Sequence, residues 1–589
     1  MESLPRWNLE SIYSSTESSE FKRDLATIQI IADKLRPKLA VSTKPKNKWF
    51  ISILEDYQNL LDYVETLYAY ASVSLTVDTK NEKALNALNK VEKETLIFRE
   101  IHVQFLETLK REEKEILELL ESEESLKKYK FVIKELLEET HHTLTIAEES
   151  LAADLNRSGT DAFSRLQEAI SSNGTTMFEG EEKSVIQLRA LAFDKDRLIR
   201  QKAYEAELSV WKMHEIAFAA SLNGVKGTTL TLDKRRKFNS PLERSLIQAR
   251  INEDILDALI TTLKESLPLF RRYLNAKAKA LDLEKLAFYD LFAPVGEASK
   301  KYSYEDGKQF ILDNFASFSP KLATFAKSAY DNKWIDSEPR VGKVGGAYCA
   351  SFPLRKETRI LANFDYSFDG VSTIAHELGH AYHDLITADL PALLRHYPMT
   401  LAETASIFSQ FIIFQGALKE ASAKEQISLI ESFLQDSNQV CVDILSRFYF
   451  EKEVFELREE GELSSKQFCS IMEKAQKATY GDALDEKYLH PYMWAVKGHY
   501  YSSELSFYNY PYAFGQLFAL SLYALSKDNE KEFVKLYDEL LLYSGQESAQ
   551  KVVASVGFDI TKKEFWQKGI EVIETYVDRF CQLVGYDGT

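Results

Sequence analysis

The stretch VSTIAHELGHAYHDLI, residues 371–386, holds three of the chain's ten histidines within eight positions. A helix turns about 100° per residue, so with His376 at zero, His380 falls at about 40°, His383 at about 340° and Glu377 at about 100°. Ile374, Leu378, Ala381 and Leu385 gather at about 140–200°. One face is ionisable and the opposite face apolar, the pattern of a helix packed on a core by one side and turned to a cleft by the other. Upstream, RILANF (359–364) reads as a short strand, and GKVGGAY (342–348) as a glycine-permitted turn or edge strand beside it. A small sheet is therefore expected immediately before the histidine helix.

Further out, helical periodicity dominates. EKEILELLESEESLKKY (113–129), SLKKYKFVIKELLEETHH (125–142), INEDILDALITTLKESLPLFRRYLNAKAKAL (251–281) and EKEFVKLYDELLLYS (530–544) are amphipathic, and the first two are dense in Glu and Lys. Glycine and proline number only 22 and 13. The fold class is mostly α. SSNGTTMFEGEEKS (171–184) reads as a turn-rich break, and residues 334–370 as a second irregular zone. These cues divide the chain into a helical N-terminal domain, 1–200, and a larger domain, 201–589, that carries the histidines.

Net charge is −17 and the isoelectric point about 5.3, which argues against a nucleic-acid partner, because phosphate binding needs basic patches. The cysteines Cys349, Cys441, Cys469 and Cys581 form no CxxC pair, so a reducing compartment is expected. The opening MESLPRWNLESIYSS lacks a basic segment followed by an apolar run, and no stretch reads as the ~18 apolar residues of a membrane span. The expectation is a cytoplasmic protein with no membrane partner.

HELGH, residues 376–380, places two imidazoles one turn apart, where both can reach one ion. Neutral imidazole suits Zn²⁺, and Glu377, pointing to one side of the pair, is placed to reach a water there rather than the ion itself. A five-residue pattern with three fixed positions also arises by chance. Here it lies on an amphipathic helix, after a strand, with a third histidine nearby, and that context favours a zinc hydrolase.

Catalytic zinc takes three protein ligands. His383 lies about 10 Å along the axis from His376, and three ligands strung along one helix do not surround an ion. His383 is read instead as substrate-facing or as a support behind the ligands. Glu403, in TLAETASIFSQF after the reversal LPALLRHYP, can approach from a second helix. Thr400-Leu-Ala-Glu403 is also a capping box, in which Glu403 would only close a helix N-terminus, so both readings stand, with the ligand favoured. KGHYYSSELSFYNYPYAFG (497–515) supplies hydrogen-bond donors in His499, Tyr508, Tyr510 and Tyr512, against the plain alternative that such an aromatic cluster fills a core.

These residues together resemble oligoendopeptidase F, within the thimet oligopeptidase family of zinc metallopeptidases. HELGHAYH is similar to that family's extended zinc helix, LAETAS to its downstream glutamate motif, HPYMWAVKGHYYSSELSFYNYPYAFG to its C-terminal His/Tyr block, RWNLESIY to its opening and GGAYCASF to the segment before its active strand. The resemblance spans nearly the whole chain. It implies a two-lobed helical ellipsoid with a deep substrate channel, and endopeptidase activity on oligopeptides. By that resemblance His376, His380 and Glu403 hold one Zn²⁺ per chain, Glu377 is the general base, and His499, Tyr508 and Tyr512 bind substrate and stabilise the oxyanion. Tyr508 and Tyr512, four apart as in the family's usual pair, are preferred over Tyr510. Gly346 and Ala347 are further candidates for contact with substrate, and the strand near ILANF is expected to pair with the peptide backbone. The alternatives are a zinc carboxypeptidase on the same scaffold and a non-catalytic peptide-binding protein. Partners are expected to be peptides, with the chain a monomer or small homo-oligomer.

Overall fold

Helix accounts for 73% of the chain and strand for 4%, so the mostly-α expectation holds. The structure is a computed structural model that describes residues 4–296, 300–527 and 530–588. Contacts divide it into two units, each assembled from three stretches. The first comprises residues 1–141, 300–419 and 526–558; the second comprises 142–299, 420–525 and 559–589. Residue 200, where the sequence suggests a boundary, lies inside the helix Arg197–Met213 of the second unit.

In the first unit, the long helices Ser19–Ala40, Lys46–Thr76 and Glu82–Arg111 pack on one another. Their apolar stripes form one core with Phe352, Leu393 and Leu394, so the N-terminal helices and the small sheet are buried together. That sheet has three strands. The central strand Glu357–Leu361 pairs in parallel with the two-residue strand Ile335–Asp336 and antiparallel with Tyr348–Phe352, in the register Tyr348↔Leu361 to Phe352↔Glu357. Alternation along Tyr348–Phe352 sends Tyr348, Ala350 and Phe352 into the helical core. Cys349 and Ser351, on the opposite face, lie close to Glu377 and Asp384 of the histidine helix.

The sheet corrects one expectation. The strand near ILANF is central and bonded on both sides, so no peptide can pair with it. A two-residue parallel strand, too short to read in a sequence, occupies its second edge. The free edge belongs to Tyr348–Phe352, whose outer side makes no backbone hydrogen bond among the described residues.

The helix Phe368–Thr387 follows directly. Ser367 caps it, its hydroxyl accepting from the Gly370 N–H at 3.0 Å, and Asp369 in the first turn suits the positive end of the helix dipole. Further along, Met399–Ala402 and Thr404–Glu420 are two helices separated by Glu403. Residues 399–420 are long and apolar enough for a membrane span by length and composition, contrary to the reading above. Two thirds of that window is buried in the fold, which makes it a core element.

In the second unit, Glu253–Ala280 runs against Lys563–Val584, and Glu215–Arg235 packs on Thr160–Asn173 and Ile444–Glu460. Lys277 is buried there and paired with Glu431 at 2.5 Å. The stretch taken as a turn-rich break is a hairpin, Thr175–Phe178 with Glu181–Ser184, turned by Glu179 and Gly180 at positive φ. Only Phe178 of its eight strand residues is buried, so no apolar alternation marks it in the sequence.

Candidate metal centre

The histidine helix buries Ile374, Leu378 and Ala381 and leaves His376 and His380 a quarter exposed. Their rings lie 5.0 Å apart at 80°. Glu403 arrives from the corner between the two later helices. Its Oε2 is 3.4 Å from His376 Nε2 and 3.5 Å from His380 Nε2. Of the two sequence readings, the capping box is not realised: Pro398 precedes the helix, Thr400 lies within it, and Glu403 follows its last residue.

Gly379 permits this meeting. A Cβ there would stand 2.4 Å from Ala405 O and 2.7 Å from Ser406 Cα, so the second helix begins in direct backbone contact with the first. The Ser406 hydroxyl donates to Glu403 Oε2 at 2.7 Å, and Gln410 Oε1 lies 3.2 Å from His376 Nδ1. Neither was singled out in the sequence. Their signal was there, since Ser406 and Gln410 stand three and seven residues after Glu403, on its helix face. The Gln410 contact fixes the tautomer. Its carbonyl accepts from Nδ1–H, which leaves Nε2 as the nitrogen that faces Glu403 and would give its lone pair to an ion held between them.

Among the described residues, His376, His380 and Glu403 are the one group of three potential ligands whose donor atoms all lie within 4.8 Å of one another. Ligands at 2.0–2.1 Å around a tetrahedral ion sit ~3.3 Å apart, so the spacing and the N, N, O donor set fit Zn²⁺. The electrostatics agree. Burial opposes the charge on Glu403, but hydrogen bonds and attraction from both histidines hold its carboxyl well below the usual range. Burial also lowers His376, and Glu403 outweighs it, leaving the imidazole raised. Glu377 is pushed the other way, up, by burial first and by Glu403 in addition. Glu377 is thus a buried carboxyl held above its ordinary value beside two imidazoles. Asp384, one turn past His380, is pushed up to about 6 by burial.

The other candidates separate. His383 is not substrate-facing. It is wholly buried, its Nε2–H donating to Ser544 Oγ at 2.8 Å and to Leu541 O at 3.2 Å, with its ring stacked 4.0 Å from Tyr397. Gly346 is exposed at φ +77°, its carbonyl accepting from Asn363 Nδ2 at 2.9 Å, and Ala347 leads into the edge strand. His499, Tyr508, Tyr510 and Tyr512 belong to the second unit. There the hydroxyls of Tyr508 and Tyr512 meet at 2.8 Å and the Tyr508 ring stacks on His499 at 5.5 Å. Tyr510 is core, its hydroxyl donating to Ser245 O at 3.2 Å.

A helical fold that brings HExxH and a glutamate from a second helix to one point defines the chain by class as a metallopeptidase. The family model described as peptidase family M3 matches residues 190–572, and one described as oligopeptidase F matches 107–173. The chain belongs to peptidase family M3. An oligoendopeptidase F homolog of Lactococcus lactis subsp. lactis is 27% identical over 98% of this chain and 97% of its own length, and the oligopeptidase PepF of Bacillus subtilis 26% identical over 98% and 87%. A solved structure from Chlamydophila abortus superimposes with a TM-score of 0.84 at 22% identity over 98% of each chain. The oligoendopeptidase-F of Enterococcus faecium gives 0.70 at 19% identity, over 96% of this chain and 99% of its own.

Proposed function

We propose that the chain is a zinc-dependent endopeptidase of short peptides, with one ion held by His376, His380 and Glu403. The observation that carries this reading is the Glu403 carboxylate, almost equidistant from two Nε2 atoms at a spacing an ion of this size would bridge. Zinc bound there supplies Lewis acidity for the scissile carbonyl and acidifies a water. Glu377 takes the proton of the attacking water and hands it to the leaving amine. Its burial and raised pKa suit both halves of that task. His499, Tyr508 and Tyr512 donate to the developing oxyanion, a role supported by the likeness of their block to the family's. The peptide backbone adds to the free edge of Tyr348–Phe352, which gives affinity with little demand on side-chain identity. The relatives named for oligopeptides favour short substrates. The four cysteines are all unpaired, and the reading keeps the protein in a reducing compartment.

The test is an end-blocked, internally quenched peptide, which an exopeptidase cannot cut. Cleavage is expected to stop with a chelator, return with zinc and be absent in Glu377→Gln, which should keep its metal. Zinc-loaded protein that cleaves no short peptide would sink the reading.

A further inference from the structure

His499 is held by a chain of contacts within the second unit that starts one helix away. Asp443 closes a π-helical turn, Gln439–Asp443, a distortion common near functional sites. Its carboxylate accepts from Gln439 Nε2 at 2.5 Å, from the Arg447 guanidinium and from Tyr480 Oη at 3.5 Å. So anchored, Arg447 presents NH1 to Asn509 Oδ1 at 3.2 Å, and Asn509 Nδ2 stands 2.6 Å from His499 Nε2. Arg447 and Asn509 are both buried.

The chemistry of these groups leaves one arrangement. A guanidinium only donates, so the Asn509 atom facing it is the carbonyl oxygen. The amide nitrogen therefore faces His499, and it too only donates. Nε2 must then be the lone-pair acceptor, which places the imidazole proton on Nδ1. A doubly protonated ring would set N–H against N–H. We infer that Arg447 and Asn509 are positioning residues that lock His499 as the neutral Nδ1–H tautomer, whose free N–H is the donor offered to a bound peptide.

The surroundings agree. His499 is partly buried, and its Nδ1 bonds nothing among the described residues. The cations that act on it are Arg447, Lys497 and Lys226, and the rings of Tyr500 and Tyr508 lie at 4.5 and 5.5 Å. Burial foremost, and then these cations, depress its protonation to about 2. A neutral donor is useful where charge develops only in the transition state, because it does not bind a stray anion beforehand.

The inference rests on the reading of His499 as a substrate donor, but its decisive measurement does not need activity. In the full chain labelled with nitrogen-15 histidine, long-range proton–nitrogen correlation separates the two tautomers, and His499→Gln assigns the signal. The expected spectrum shows a protonated Nδ1 and a bare Nε2 throughout the neutral range. A protonated Nε2, alone or in an imidazolium, overturns the inference. Asn509→Asp should reverse the tautomer, since its carboxylate faces Nε2 and can only accept. That variant should lose about a hundredfold in kcat with KM little changed, the cost of one oxyanion donor. In the His499→Gln background the same substitution should add nothing. A further loss there would overturn the inference, since Asn509 would then act other than through His499. If the spectrum is as expected while the wild type leaves peptides uncut, the peptidase reading fails and the tautomer lock stands.

Discussion

His383 shares the ligands' helix face in the sequence, and packing assigns it to support rather than to substrate. Its Nε2–H is committed to Ser544 and to a carbonyl, while Nδ1 is buried with no partner among the described residues. A proton on Nδ1 would have nothing to receive it, and burial accordingly lowers the group from its ordinary 6.5 to about 3. The linkage has a definite sign. Between those values the unfolded chain binds a proton that the native chain does not. Stability is therefore complete above 6.5 and falls as pH drops towards 3, by up to about 1.4 kcal/mol per pH unit from this residue. His383→Phe should keep the stacking on Tyr397, cost about 1 kcal/mol for the lost hydrogen bond at neutral pH, and flatten that acid slope. Denaturant midpoints across the range check this. Zinc content should be unchanged, and its loss would make His383 a ligand. Helix geometry left His383 open between facing substrate and supporting the ligands, because what decides it is Ser544, 161 residues away.

At the scale of elements, the site depends on how closely two helices approach. Alanine at position 379 would ordinarily stabilise a helix by about 1 kcal/mol relative to glycine. Here its methyl would strike the backbone of Ala405 and Ser406. The neighbours are main-chain atoms that cannot rotate aside, so the helix bearing Glu403 must back away. Gly379→Ala is expected to weaken zinc about ten- to a hundredfold, as displaced ligand support does, and a metal titration measures it. An unchanged affinity with raised thermal stability would mean the close contact carries no ligand geometry. The same closeness explains what the sequence left open. HELGH was legible because local spacing fixes it. Glu403 kept both readings, the ligand favoured over the cap, because the deciding fact, the break between Ala402 and Thr404, lies where the chain packs on Gly379. The three-stranded sheet was legible as a location but not as an order, since the strand that blocks the central edge has two residues.

The whole molecule interleaves its chain: each unit draws on an early, a middle and a late stretch. Long helices were readable from periodicity, because their stripes are local. The assignment of stretches to units was not, because it rests on long-range burial such as that of Phe352, Leu393 and Leu394 beneath the N-terminal helices. One consequence is measurable. All three proposed ligands, and the helix contact that sets them, lie in the first unit. An ion that binds only the folded site stabilises by mass action, about 2.7 kcal/mol at a hundredfold excess over Kd. That stabilisation acts on openings that break the site and not on those that leave it intact. Hydrogen exchange of zinc-loaded against chelated protein should therefore show added protection along 368–420. It should extend to the parts of the first unit packed on the histidine helix, including 530–543, while 253–280 and 563–584 of the second unit should exchange alike in both states. Added protection centred on 253–280 and 563–584 would place the metal elsewhere. Protection spread evenly over the chain would mean that the two units open only together.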